Sequence, residues 1–300
     1  MLGDASLTKN GITGTNYFTV KRVLHWKRIK MKNNVKAEQR SSISVVIPVH
    51  NEEAYLPYSL PSFKAIEGDV DEFIFVLDNC TDRSEEIIRR ALPQAKILIK
   101  TGHKWRFFAA ESFQYGFDRA SGDIILAAGA DLILDPKIPR IIRKIFIDPS
   151  VGTVCFRYLN FDLFSLKMRI HGHYENIYKT LIQKFRREAR HTGFYAFRRK
   201  MMMEIGGLAD IVSEYDEYCR RAEKHGWKVI YVPYTKTLHL RPGLSSKKQY
   251  IQGTARATLP SYNLFKTAIH SFIHFKPYLL VGFIHARRYG VVESGKLGHA

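Results

Sequence analysis

Four short apolar runs, spaced about 25 residues apart between residues 43 and 128, constrain the fold more than any other feature of the chain. They are ISVVIPV at 43–49, FIFVL at 73–77, KILI at 96–99 and IILAA at 124–128. A strand covered on both faces reads as continuous apolar sequence rather than as an alternation. Between the runs lie helix-forming segments, expected at about 53–66, from Thr81 or Ser84 to Leu92, and at about 106–119 with Ala109, Phe113, Gly116 and Phe117 on one face. Strands alternating with helices build βαβ units and a parallel sheet. In such sheets ligands bind beyond the carboxyl ends of the strands. Those ends are Pro48–Glu52, Asp78–Cys80 and Asp131.

Beyond residue 130 the pattern is less regular. FYAFRR (194–199) and KVIYVP (228–233) predict strands, and YDEYCRRAEKHG (215–226) predicts a helix ended by Gly226. Three regions are expected: a basic tail or surface helix over 1–40, an α/β domain over 41–245, and an amphipathic helical segment over 246–300. In the last, Leu264, Ala268, Phe272 and Phe275 share one face, which suits either a membrane surface or packing onto the domain.

The net charge of +19 suits an anionic partner, whether nucleic acid, an acidic membrane or phosphorylated substrates. Three cysteines without a CxxC pair argue against a disulfide framework and a structural zinc site, and for a reducing, cytoplasmic compartment. Residues 1–20 hold no signal-like apolar core, and the longest apolar stretch, YLLVGFIHA at 278–286, is about half a membrane span. A soluble protein, or one peripheral on the inner face of a membrane, is expected.

VVIPVHNEE, then FIFVLDNCTDRS, then the run from Ala109 to Asp131, then GGLADIVSEYDEYCRRAEKHGW, resemble family 2 glycosyltransferases of the GT-A fold over roughly residues 43–242. The resemblance implies a mainly parallel α/β sheet flanked by helices. It also implies inverting transfer of a sugar from a nucleotide-diphosphate sugar, assisted by Mn²⁺ or Mg²⁺. Pro48, His50, Glu52 and Asp78 then fall beside the nucleotide, with Lys104, Arg106, Ala130 and Arg241 as further donor-site positions. Bland readings stand beside these: Asn51 as a helix cap, Glu52 and Glu53 as dipole partners, and Asp82 as a turn former.

GADLILDP carries one carboxylate where many relatives write Asp-x-Asp: Gly129 fills the first position and Asp131 the last. In the family the last aspartate is the usual metal ligand. A lone carboxylate needs other ligands, and His239 in YTKTLHLRPG is the candidate partner for Mn²⁺ or Mg²⁺. An inverting transfer to a hydroxyl also needs a carboxylate base. Alignment on Gly226 sets Tyr215 where the family has its aspartate, leaving Asp216 or Glu214 as the base, with Asp216 favoured. Gly193 leaves room beside the acceptor cleft. The expected acceptor is a glycan, a lipid-linked sugar or a polyprenyl phosphate, near an anionic membrane surface. The departures at Gly129 and Tyr215 keep a second reading open, a donor-binding scaffold with little turnover. Nucleic acid is not an expected partner, since no nucleic-acid module is recognisable.

Overall fold

The computed structural model describes residues 41–105, 107–185, 193–210, 214–233, 235–241, 246–258 and 262–290, with backbone alone at 167, 179, 182–185, 193, 214–216 and 247–248. In chain order the elements are β1 (Ile43–Val49), α1 (Leu56–Lys64), β2 (Glu72–Asp78), α2 (Ser84–Ala91), β3 (Lys96–Lys100), α3 (Phe108–Phe117), β4 (Ile124–Ala127) and β5 (Leu132–Ile133). They continue as α4 (Ile138–Ile145), β6 (Val151–Arg157), β7 (Leu159–Asn160), α5 (Leu166–Phe185), β8 (Gly193–Arg198), α6 (Arg199–Glu204) and α7 (Glu214–Lys224). The last are β9 (Lys228–Val232), β10 (Leu238–His239), α8 (Ser246–Ala257), α9 (Leu264–Ile273) and α10 (Pro277–Tyr289).

Seven strands form the main sheet in the order β3-β2-β1-β4-β8-β6-β9. β3, β2, β1 and β4 run parallel, and β8 is antiparallel to both its neighbours. The chain moves outward from β1 to β3 and then returns to pair β4 on the other side of β1. This reversal is the switch point at which open α/β sheets form their ligand crevice. Side chains of successive strand residues leave opposite faces, so Val45 and Ile47 join one apolar core and Val46 the other. Helices cover both faces, which explains why β1 shows no polar alternation.

A second sheet, β5-β10-β7, is small but decisive. β10 pairs antiparallel with β5 and parallel with β7, putting His239 opposite Leu132. The buried Asp135 anchors this arrangement by accepting from the Lys236 amide at 2.9 Å, while its own amide donates to Thr237 Oγ1 at 3.1 Å.

Several expectations need correction. α1 begins at Leu56 rather than near 53, with Pro57 in its first turn, and Asn51 does not cap it. Asn51 instead takes a left-handed φ of 52° and accepts the Thr81 amide at 2.8 Å. α3 buries Ala110, Ser112, Gly116 and Phe117, whereas Ala109 is exposed. The expected stripe of α9 faces outward: the buried residues are Thr267 and Ser271, and Phe272 is 83% exposed. β6 was not foreseen, because Gly152, Thr153 and Cys155 break its apolar run, yet every residue in it is buried. The basic tail, Arg106 and the end of the 246–300 segment lie outside the described residues.

Candidate active site

Two charged clusters lie at the carboxyl ends of the parallel strands. The first gathers around Asp78, the last residue of β2 and only 5% exposed. Its Oδ2 accepts from Ser112 Oγ on α3 at 2.6 Å, and its Oδ1 accepts from Asn79 Nδ2 at 2.8 Å. Lys100, closing β3, places its Nζ 3.6 Å from Asp78 Oδ1 and 3.5 Å from Glu111 Oε2. His103 sits 3.0 Å from Lys100 Nζ and stacks on Phe108 with ring centres 3.7 Å apart. Burial pushes the Glu111 carboxyl upward, but the amides of Lys104 and Trp105 and the Lys100 ammonium outweigh it and hold it below the usual range. His50 reaches across from β1 to the Asp78 carbonyl, Nδ1 to O at 2.6 Å. The result is a rigid polar wall with planar rings, suited to a nucleobase edge.

The second cluster centres on Asp131, just past β4 and 8% exposed. His239 Nε2 lies 3.2 Å from Asp131 Oδ2, and Arg241 Nη2 lies 3.4 Å from the same oxygen. Arg241 also pairs with Glu52 Oε1 at the end of β1 and lies over the Tyr55 ring at 4.7 Å. Burial alone would raise the Asp131 carboxyl, but the bond and charge of His239 and the charge of Arg241 keep it below normal. Arg241 is the mirror case: burial disfavours its charge, and Asp131 and Glu52 restore it above normal. Residues at the ends of β1, β4 and β10 thus meet as a chain of polar contacts, Glu52–Arg241–Asp131–His239.

Gly129 has a geometric role here. A Cβ built on it would stand 2.8 Å from Asp131 Oδ1, so any side chain at 129 would turn the Asp131 carboxylate away from its present place. The missing first aspartate and the position of the remaining one are therefore linked.

The chemistry of the donor set fits a divalent ion in part. Two ligand atoms 3.2 Å apart match neighbouring corners of an octahedron whose bonds are about 2.1 Å. Among the described residues His239 Nδ1 is buried without a hydrogen-bond partner, while Nε2 is the nitrogen turned to Asp131. Among the described residues no three His, Cys, Asp or Glu side chains gather at a metal-binding spacing. Diphosphate oxygens and water would have to complete the shell.

Of the expected residues, His50, Glu52, Asp78, Asp131, His239 and Arg241 come together at the two clusters, whereas Pro48 pairs with Val76 inside the sheet and Ala130 packs in the apolar core beside Asp131. Lys104 is exposed, and only its amide takes part, donating to Glu111 Oε1 at 2.9 Å. Asp82 is a turn former as read, accepting the amides of Ser84 and Glu53. Asp216 and Glu214 open α7, and their side chains lie outside the described residues. Glu217 is paired with Arg221 at 2.6 Å. Tyr55, Lys100, His103, Glu111 and Ser112 were missed; only Lys100 carried a signal, as the lone cation closing an apolar strand.

A mainly parallel sheet flanked by helices, with two charged clusters at the carboxyl ends of its strands, matches the GT-A fold. The chain belongs to glycosyl transferase family 2, whose sequence profile matches residues 44–206. Among curated relatives it is 34% identical over 114 residues to an undecaprenyl-phosphate 4-deoxy-4-formamido-L-arabinose transferase of Photorhabdus laumondii, covering 35% of this chain and 34% of that protein. A protein of the same name from Pseudomonas aeruginosa PAO1 is 35% identical over 109 residues, 34% of this chain and 32% of its own length. The match therefore spans about a third of these relatives' length. A crystal structure of a mycobacterial protein aligns with a TM-score of 0.53 at 18% identity, covering 73% of each chain, which bears on the fold alone.

Proposed function

We propose that the chain transfers a sugar from a nucleoside-diphosphate sugar to a polyprenyl phosphate, with inversion at the sugar carbon. The observation that carries this is the Glu52–Arg241–Asp131–His239 cluster at the sheet's switch point. The Asp78 wall takes the base, and the Asp131 cluster takes the diphosphate. In transfer, the bond from the sugar carbon to the diphosphate breaks while a bond to an acceptor oxygen forms on the opposite face. The nucleoside diphosphate leaves with both electrons of the broken bond. Charge grows on that leaving group, and Arg241 is the side chain positioned to balance it. A bound Mn²⁺ or Mg²⁺, held by Asp131 and His239, would add Lewis-acid stabilisation of the same charge.

Acceptor chemistry explains Tyr215. A hydroxyl must lose a proton as it attacks, which needs Asp216 or Glu214 as base. A phosphate monoester has a second pKa of about 6 and attacks as an anion already. An acceptor of that kind removes the need for an aspartate where Tyr215 stands, and the names of the curated relatives support it.

A first plate tests the donor: melting temperature with UDP, GDP and their sugar conjugates, with and without Mn²⁺. Stabilisation by one nucleotide class is expected. Transfer of radiolabelled sugar to undecaprenyl phosphate tests the acceptor, and the product's anomeric configuration tests inversion. Asp216→Asn and Glu214→Gln should each change that transfer by less than about tenfold, against the 10²–10⁴ expected for loss of a base. If Asp131→Ala left transfer unchanged, the site assignment would fail and a donor-binding scaffold would be favoured.

A further inference from the structure

We propose that the exposed apolar face formed by α5 and the α9–α10 pair docks onto an anionic lipid bilayer. On α5, Leu166, Ile170, Tyr174, Ile177 and Leu181 fall at helical spacing on one side, and all are 41–69% exposed. A stripe of that kind normally faces a core; here it faces out. On α9, Phe265 and Phe272 are 72% and 83% exposed. The two elements form one surface, because the half-exposed Tyr174 ring lies 5.5 Å from the Phe275 ring at the α9–α10 turn. Soluble surfaces rarely carry apolar patches on this scale unless something covers them.

Charge selects the occupant. From residue 246 to 290 the chain has seven Lys or Arg and no Asp or Glu. α5 has one acid, Glu175, which is 4% exposed and turned inward toward His274 and Lys276. Of the cations in 246–290, Lys266, Arg287 and Arg288 are exposed. An apolar face flanked by exposed cations, with no exposed acid on its helices, matches lipid tails beneath anionic head groups. A second copy is a poor match, since a two-fold interface would set the same cations against each other. No described helix is long and apolar enough to cross a membrane, so the contact lies in the interface plane.

This face reaches the rim of the candidate active site. Phe164, 60% exposed, stands 5.3 Å from Tyr55, whose ring supports Arg241. Docking along α5 would present a lipid-borne phosphate beside the diphosphate cluster.

Sedimentation of the full chain with vesicles tests docking, using phosphatidylcholine with and without phosphatidylglycerol, at low and high salt, and without polyprenyl phosphate. Binding is expected to phosphatidylglycerol vesicles and to weaken with salt. The triple variant Ile170→Ser, Phe265→Ser, Phe272→Ser should keep the wild-type melting temperature and lose vesicle affinity at least ~10-fold. No binding by the wild-type chain, or undiminished binding by the triple variant, would overturn the proposal. So would a concentration-dependent dimer, by analytical ultracentrifugation, that the triple variant abolishes. Because no acceptor or donor is present, the outcome is independent of whether the transfer reaction is correctly assigned.

Discussion

Asp131 remains charged in a buried place only because His239 and Arg241 offset its desolvation. Asp131→Asn should therefore weaken nucleotide-sugar binding, read by calorimetry, and cost about 1–3 kcal/mol in chemical denaturation, since Arg241 loses a partner. Gly129→Asp should weaken donor binding too, by displacing the carboxylate it would touch, but with a smaller loss of stability. Lys100→Met strands Asp78 and Glu111 together without their shared cation. We expect a loss of about 3 kcal/mol by urea denaturation, in line with breaking a buried ion pair. The strand-end rule found Asp78 and Asp131, and the family resemblance found His239. The partners of Asp78 were illegible, because which helix residue reaches it depends on the rotation of α3. Sequence periodicity put Ala109 inward, where the fold has Ala110.

Elements in the second half were harder to read for a related reason. β6 carries polar residues that the fold satisfies internally, as where Thr153 Oγ1 donates to the Ala196 carbonyl at 3.1 Å. The apolar stripe of α9 was visible, but its direction was set by polar contacts no pattern reveals. Its inner side meets Arg256, His274, Lys276 and, through them, Glu175. Burial and those cations push His270 down to about 3 from its usual 6.5. The unfolded chain thus takes up a proton that the folded chain refuses, and stability falls as pH drops from about 6.5 toward 3. Melting temperature against pH should show this slope, and His270→Gln should flatten it. α8 and α10 cross so closely that a Cβ on Gly253 would meet the Leu279 carbonyl oxygen at 2.0 Å. Gly253→Leu should part the two helices, seen as faster amide exchange in both, with the seven-stranded sheet still protected and stability lower by about 1–3 kcal/mol.

Across the whole molecule the two clusters differ in how the chain supplies them. Those around Asp78 come from β1 to α3, neighbours in sequence. The other is drawn from distant parts: Glu52 and Arg241 are separated by 189 residues. Contacts of such long separation close late, since loop entropy must be lost before they form. After a denaturant jump, the base-binding wall should be native while the diphosphate cluster is still absent. A stopped-flow trace would then show nucleoside binding regained before diphosphate affinity, and the lag between them would measure the time β10 takes to find β5.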